Sequence, residues 1–241
     1  MGRNKKSVTV NLREAQGRKI LGQLIDTADV LIENFKPGTM EKWGLGPEDV
    51  KAANPDLIYT RISGYGQTGP YSKKPGYASV TEAFSGFRYI NGFPGEVPVR
   101  PNLSLGDSVA GIHAVLGILL ALMAKKNAGA NFGEEQGAGQ VVDVALYESM
   151  FNLMEGIVPE YDGGGAIREP AGSTLTGIVP TNTYLCADGK HVVIGGNGDS
   201  IYVRLMKAIG RGDLAEDPAL EKNPGRVIQQ QNIDNAIAAW T

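Results

Sequence analysis

Val30-Leu31-Ile32-Glu33, closed by Asn34-Phe35-Lys36-Pro37-Gly38, is followed nineteen residues on by Leu57-Ile58-Tyr59-Thr60-Arg61-Ile62-Ser63. The two apolar runs read as buried strands. Between them, Pro37 and Pro47 sit where the first turn of a helix accepts proline, which predicts short helices over 39–43 and 47–53. Strand, helix and strand in this rhythm predict a parallel α/β sheet. Before it lie an extended segment at 7–12 and a helix from Glu14 to about Asp26, with Ile20, Leu21, Leu24 and Ile25 on one face. After it come a Gly/Pro/Tyr-rich loop at 64–76 and a helix over 78–86. A long helix runs from Ser108 to about Lys126, then a polar excursion at 127–139, a strand at 140–144 and a helix at 145–156.

Beyond residue 156 the texture changes. Gly163-Gly164-Gly165 and Pro170 suggest a linker over 157–172. Residues 178–185 and 190–194 alternate like paired strands, with Ala187-Asp188-Gly189 as their turn. Helices follow at 200–209 and 224–240. The expectation is a large Rossmann-like α/β domain over 1–156 and a smaller α+β domain over 173–241. Both ends break off within patterned sequence, so both domains are expected to be partial.

Composition narrows the chemistry. The single cysteine, Cys186, excludes a disulfide framework, and two distant histidines, His113 and His191, give no zinc pattern, so no metal is expected. Residues 1–74 carry 12 basic and 8 acidic side chains, whereas 75–241 carry 11 and 18. A basic first third suits a phosphate-bearing ligand or is merely a solvated face. No aromatics interleave with the cations, so nucleic acid is not expected. The uncharged run Ser108–Ala124 sits at the short end for a membrane span. With Ala110, Gly111, Ala114 and Gly117 it reads as a buried core helix, and no membrane is expected.

Asp107 stands at the head of that run, in Ser104-Leu105-Gly106-Asp107-Ser108. A carboxylate where a loop becomes a helix is oriented by the helix dipole and the unpaired first-turn N–H groups. That suits a nucleophile; it also suits a plain N-cap. Gly195-Gly196-Asn197-Gly198-Asp199 resembles a dinucleotide loop but lacks its third glycine, and a tight turn is the better account. His113, inside the apolar helix, reads as a buried, hydrogen-bonded residue.

Taken together, Asn4-Lys5-Lys6-Ser7-Val8, Glu33–Gly38, Ser63-Gly64-Tyr65-Gly66-Gln67-Thr68-Gly69-Pro70-Tyr71 and Lys74-Pro75-Gly76-Tyr77 resemble the class III coenzyme A transferases, the CaiB/BaiF family. Gly106-Asp107 and Gly139-Gln140-Val141-Val142-Asp143-Val144 complete the likeness, which runs from Arg3 to about Met154 and continues more loosely to Trp240. The resemblance implies coenzyme A transfer between carboxylic acids through covalent intermediates on Asp107. It implies a coenzyme A site at Val10, Asn11, Leu12, Arg13, Asn34, Phe35, Lys36, Lys42, Pro75, Gly76, Tyr77 and Ala78. Arg13, Lys36 and Lys42 would meet phosphates. Acyl-CoA and acid substrates, an interlocked homodimer and a cytoplasmic or mitochondrial setting are the matching expectations. Ser173–Pro180 departs from the family pattern, having one glycine where a run of them closes over the site.

Two alternatives stay open. An α-methylacyl-CoA racemase resembles the same stretch but needs a histidine thirty residues before the aspartate. Tyr77 stands there, and a phenol, with an ordinary pKa of ~10, is a poor base at neutral pH. A non-catalytic coenzyme A-binding fragment is the other. An oxidoreductase reading rests on Gly-rich loops alone.

Overall fold

The structure is a computed structural model and describes residues 2–131 and 139–241. The chain divides into two compact units, one of residues 1–87 and 100–156, the other of residues 88–99 and 157–241.

The first unit is built on a three-stranded parallel sheet, in the order β1 (Val30–Glu33), β2 (Ile58–Ser63), β3 (Val141–Ala145). Val30 pairs with Ile58, and Tyr59 with Val141. Successive side chains of a strand point to opposite faces, and β2 uses both. Tyr59 joins Ile25, Met40, Leu45, Val50 and Leu57 on the face covered by α1 (Ala15–Ile25), α2 (Thr39–Lys42) and α3 (Pro47–Val50). Its hydroxyl donates to the Leu45 carbonyl at 2.8 Å, and burial pushes its pKa above the ordinary phenol value. Ile58 faces the other way, onto Ile118 and Ala121 of α6 (Leu105–Asn131).

The long helix corrects two expectations. It begins three residues earlier than the sequence suggests and runs to Asn131, so only residues 132–138 of the supposed polar excursion lie outside the described ones. It is also buried on one stripe only. Ala110, Ala114, Gly117, Ile118 and Ala121 meet the sheet; a Cβ on Gly117 would lie 2.6 Å from Val142 Cγ1, so only glycine lets the backbones approach. Ile112, Val115, Leu116, Leu119, Leu120 and Met123 are exposed. By length and composition the window Leu105–Asn127 could also cross a bilayer, but here its small residues roof a sheet. Three short strands cover one side of a helix and leave the other.

Between β2 and α6 come α4 (Ala78–Phe84) and α5 (Phe87–Ile90), and β3 runs directly into α7 (Leu146–Phe151). Tyr65, Tyr71, Phe84 and Tyr147 form one cluster with ring centroids 5.2–5.9 Å apart. The loop after β2 is pinned by Asp143, whose carboxylate accepts the Gln67 N–H at 2.8 Å.

The second unit gathers segments that the sequence reading kept apart. The expected linker holds the helix α8 (Ile157–Gly164). Residues 88–99 join it through hydrogen bonds from Gly172 N to Gly92 O and from Tyr89 Oη to Glu169, with Phe93 against Gly172. A hairpin of β4 (Thr181–Leu185) and β5 (His191–Gly195) packs with α9 (Asp199–Ala208), α10 (Gly212–Ala215), α11 (Asn223–Ile228) and α12 (Gln230–Trp240). Its core is Val179, Tyr184, Tyr202, Met206, Leu214, Leu220, Ile233, Ala236 and Ile237. At its centre Arg226 is fully buried and spends all five N–H donors. They go to the carbonyls of Val179, Leu220, Glu221 and Asn197 and to Asp199 Oδ1, at 2.8–3.1 Å. The glycine-rich 195–199 stretch is therefore a turn closed on an internal arginine. The departing Ser173–Pro180 segment is a second turn, with Asn223 donating to Gly177 O and accepting from Val179 N.

Candidate functional site

The carboxyl ends of all three parallel strands open on one cleft of about 520 Å³. Open α/β sheets place ligands at this edge, because the turns leaving the strands diverge there. β1 contributes Asn34, Phe35, Lys36 and Pro37; β2 contributes Ile62, Ser63 and Gly64; β3 leads to Leu146. The far wall is Ser72, the run Lys74–Ser79, Arg100 and Asp107.

Buried charge shapes the β1 lip. Glu33 accepts the Phe35 N–H at 2.7 Å and the Arg61 Nε–H at 2.9 Å, while Arg61 also grips Glu41 through both terminal nitrogens. The Arg61 hydrogen bonds hold the Glu41 carboxyl below its ordinary 4.5. A carboxylate on the last residue of β1 thus bends the chain into the cleft wall. Phe35 lies edge-on to Trp43 with centroids 5.2 Å apart.

The opposite lip rests on backbone against backbone. A Cβ on Gly64 would lie 2.6 Å from Gly76 O and 2.7 Å from its Cα. Gly64→Ala must drive the β2 turn and the 74–79 wall apart. Overpacking of this kind costs about 1–3 kcal/mol. Urea unfolding is expected to show that loss; an unchanged midpoint would contradict the contact.

Asp107 is the third residue of α6, so it lies inside the first turn rather than capping it. The cap role belongs to Glu82 of α4, which is 0% exposed and accepts the Gly106 N–H at 3.2 Å. Sequence reasoning missed Glu82, since one glutamate on a short helix carries no sign of burial. With that amide served, Asp107 is exposed on the cleft wall and has no hydrogen-bond partner among the described residues. It still sits where a helix dipole favours negative charge.

Of the other expected site residues, Asn34, Phe35, Lys36, Pro75, Gly76, Tyr77 and Ala78 border the cleft with Asp107. Tyr77 is 81% exposed. Val10, Asn11, Leu12, Arg13 and Lys42 do not border it. The 11–13 turn is folded onto its own helix, Arg18 donating to the Leu12 and Arg13 carbonyls, and Lys42 is exposed on α2. Lys74 also borders the cleft, with its ammonium 3.9 Å from the Tyr71 ring centre. Ser63, the last residue of β2, has its hydroxyl buried beside the cleft with no hydrogen-bond partner. His113 is half-buried, with Nδ1 3.1 Å from Val109 O in its own helix. Among the described residues no group of His, Cys, Asp and Glu is arranged to hold a metal ion.

Fold and cleft define an open-sheet α/β protein with a cleft at the carboxyl ends of its parallel strands. The sequence matches the profile of CoA-transferase family III across residues 1–241, and the chain belongs to that family. It is 45% identical over its full length to succinyl-CoA–D-citramalate CoA-transferase of Chloroflexus aurantiacus, covering 58% of that protein. It is 31% identical over 97% of its length to human succinyl-CoA:glutarate CoA-transferase, covering 51% of it. A CAIB/BAIF family protein from Brucella suis matches 98% of the chain with TM-score 0.80 and 31% identity, over 60% of its own length. The chain therefore spans about half to three-fifths of the relatives it matches.

Proposed function

We propose that the protein to which this chain belongs moves coenzyme A from an acyl-CoA to a carboxylic acid, with Asp107 as the temporary acyl and CoA carrier. The observation that carries this reading is the position of Asp107. It is a carboxylate without a protein partner among the described residues, held in the first turn of a 27-residue helix on the wall of the strand-end cleft. Membership of a CoA-transferase family and relatives named for succinyl-CoA-dependent transfer support it.

The steps balance without any net proton transfer. An Asp107 oxygen attacks the donor's thioester carbonyl, the C–S bond breaks, and CoA thiolate leaves an aspartyl–acyl anhydride. The thiolate then attacks the aspartyl carbonyl, releasing the donor acid and leaving an aspartyl–CoA thioester. The acceptor carboxylate attacks this thioester, giving a second anhydride and thiolate. Thiolate attack on the acceptor's carbonyl completes product and restores Asp107. Covalent division of one hard exchange, with reactants pre-positioned, is the source of rate. Lys36 and Lys74 supply positive charge for CoA phosphates. A racemase reading would need a second proton carrier, and no histidine borders the cleft among the described residues.

Mass spectrometry after quenching with succinyl-CoA is expected to find a CoA thioester on the peptide that holds Asp107, absent from Asp107→Asn. Turnover with the adduct on another side chain would overturn the assignment.

A further inference from the structure

The proposed exchange leaves Arg100 without a part. Its Nε lies 4.0 Å from Glu82 Oε2, the carboxylate that is 0% exposed and also accepts the Gly106 N–H. A sealed carboxylate favours a cation beside it, and Arg100 supplies one from the cleft side. The Arg100 side chain is 46% exposed, and its two terminal nitrogens make no hydrogen bond to any described residue. It borders the cleft with Asp107 and also an adjoining hollow of about 300 Å³ formed with Pro101, Asn102, Leu103 and Ser104.

A guanidinium whose Nε side faces a carboxylate at ion-pair distance keeps a planar pair of terminal N–H groups whose spacing matches a second carboxylate. We propose that Arg100 receives the second carboxylate of a dicarboxylic acyl group whose other carboxyl is exchanged at Asp107. This rests on the Asp107 reading only for which end of the acyl group reacts.

The test measures binding in an Asp107→Asn background, so that no acyl transfer consumes the ligand. Calorimetric titration compares succinyl-CoA with butanoyl-CoA, which has the same four-carbon chain without the far carboxylate. The Asp107→Asn chain is expected to bind succinyl-CoA at least about tenfold more tightly, the size of one charged hydrogen-bonded contact. Adding Arg100→Gln should bring the two ligands to near parity and leave butanoyl-CoA affinity unchanged. The proposal is overturned if the parent does not discriminate, if Arg100→Gln keeps the discrimination, or if it weakens both ligands equally, as a phosphate contact would. Because nothing here depends on attack by Asp107, a failure of the covalent assignment would show in the adduct measurement and not in these affinities.

Discussion

Asp107→Ala is expected to reduce exchange of labelled CoA in the full protein by ~10⁴-fold or more, with CoA affinity changed by no more than about twofold. The split follows from geometry. Asp107 touches no other described residue by hydrogen bond, so its removal orphans no donor, and its exposure means that truncation leaves no cavity. The cap of α6 is untouched because Glu82, not Asp107, holds the Gly106 amide. The cleft's cations and strand-end loops stay in place, so the proposed coenzyme A site is expected to keep its affinity. What is lost is the group proposed to carry coenzyme A, as an aspartyl thioester, from one acid to the other. A stable Asp107→Ala protein that still turned over at an appreciable fraction of the parent rate would remove the basis for the mechanism.

Arg226→Leu is expected to be the most damaging substitution in the second unit, costing about 3–5 kcal/mol. Leucine fills much of the volume but leaves four carbonyls and one carboxylate without their donor, and the ring of Tyr202 loses a guanidinium 4.9 Å from its centre. Arg226→Lys keeps the charge, but its single nitrogen cannot reach partners set around a planar fork, so it recovers part of the loss only. Asp199 is held below its ordinary 3.8 chiefly by the Arg226 hydrogen bond and then by that of Lys222. A depressed carboxyl stabilises the fold fully above the ordinary value, and that contribution disappears as pH falls through the lowered one. Hydrogen exchange resolves the effect by region. Amides of 179–237 should lose protection in Arg226→Leu while those of the parallel sheet keep theirs; full protection in the second unit would show that the fork is dispensable.

Sequence was informative where burial leaves a repetitive mark. Leu57–Ser63 shows itself as a strand because a central parallel strand is covered on both faces and so reads as a mostly apolar and β-branched run, with Arg61 its one charge and the mark of the Glu33–Glu41 network. Asp107 stands out because it is the one acid ahead of a long uncharged run. Sequence was silent where a role depends on what another segment brings. Glu82 looks like any helix-surface acid until α6 lies over it, and Arg226 like any helix-surface base until the turn at 195–199 closes around it. The helix over 105–131 reads as buried because it is apolar on every side; only the narrowness of the sheet decides which stripe is covered. Arg13 and Lys42 looked equivalent to Lys36 as cations of one basic region, and nothing local tells which of them the strand ends will gather.

The Glu33–Arg61 pair beneath the cleft lip has a consequence for how ligand capture responds to ions. Its side chains are 3% and 8% exposed, so counterions have no path between them, and the lip keeps its shape as ionic strength rises. Lys36 and Lys74 stand in water, and their pull on a polyanion fades once the Debye length shrinks to ~3 Å in molar salt. Loss of affinity on adding salt would then measure the long-range attraction alone, with the architecture that receives the ligand still standing.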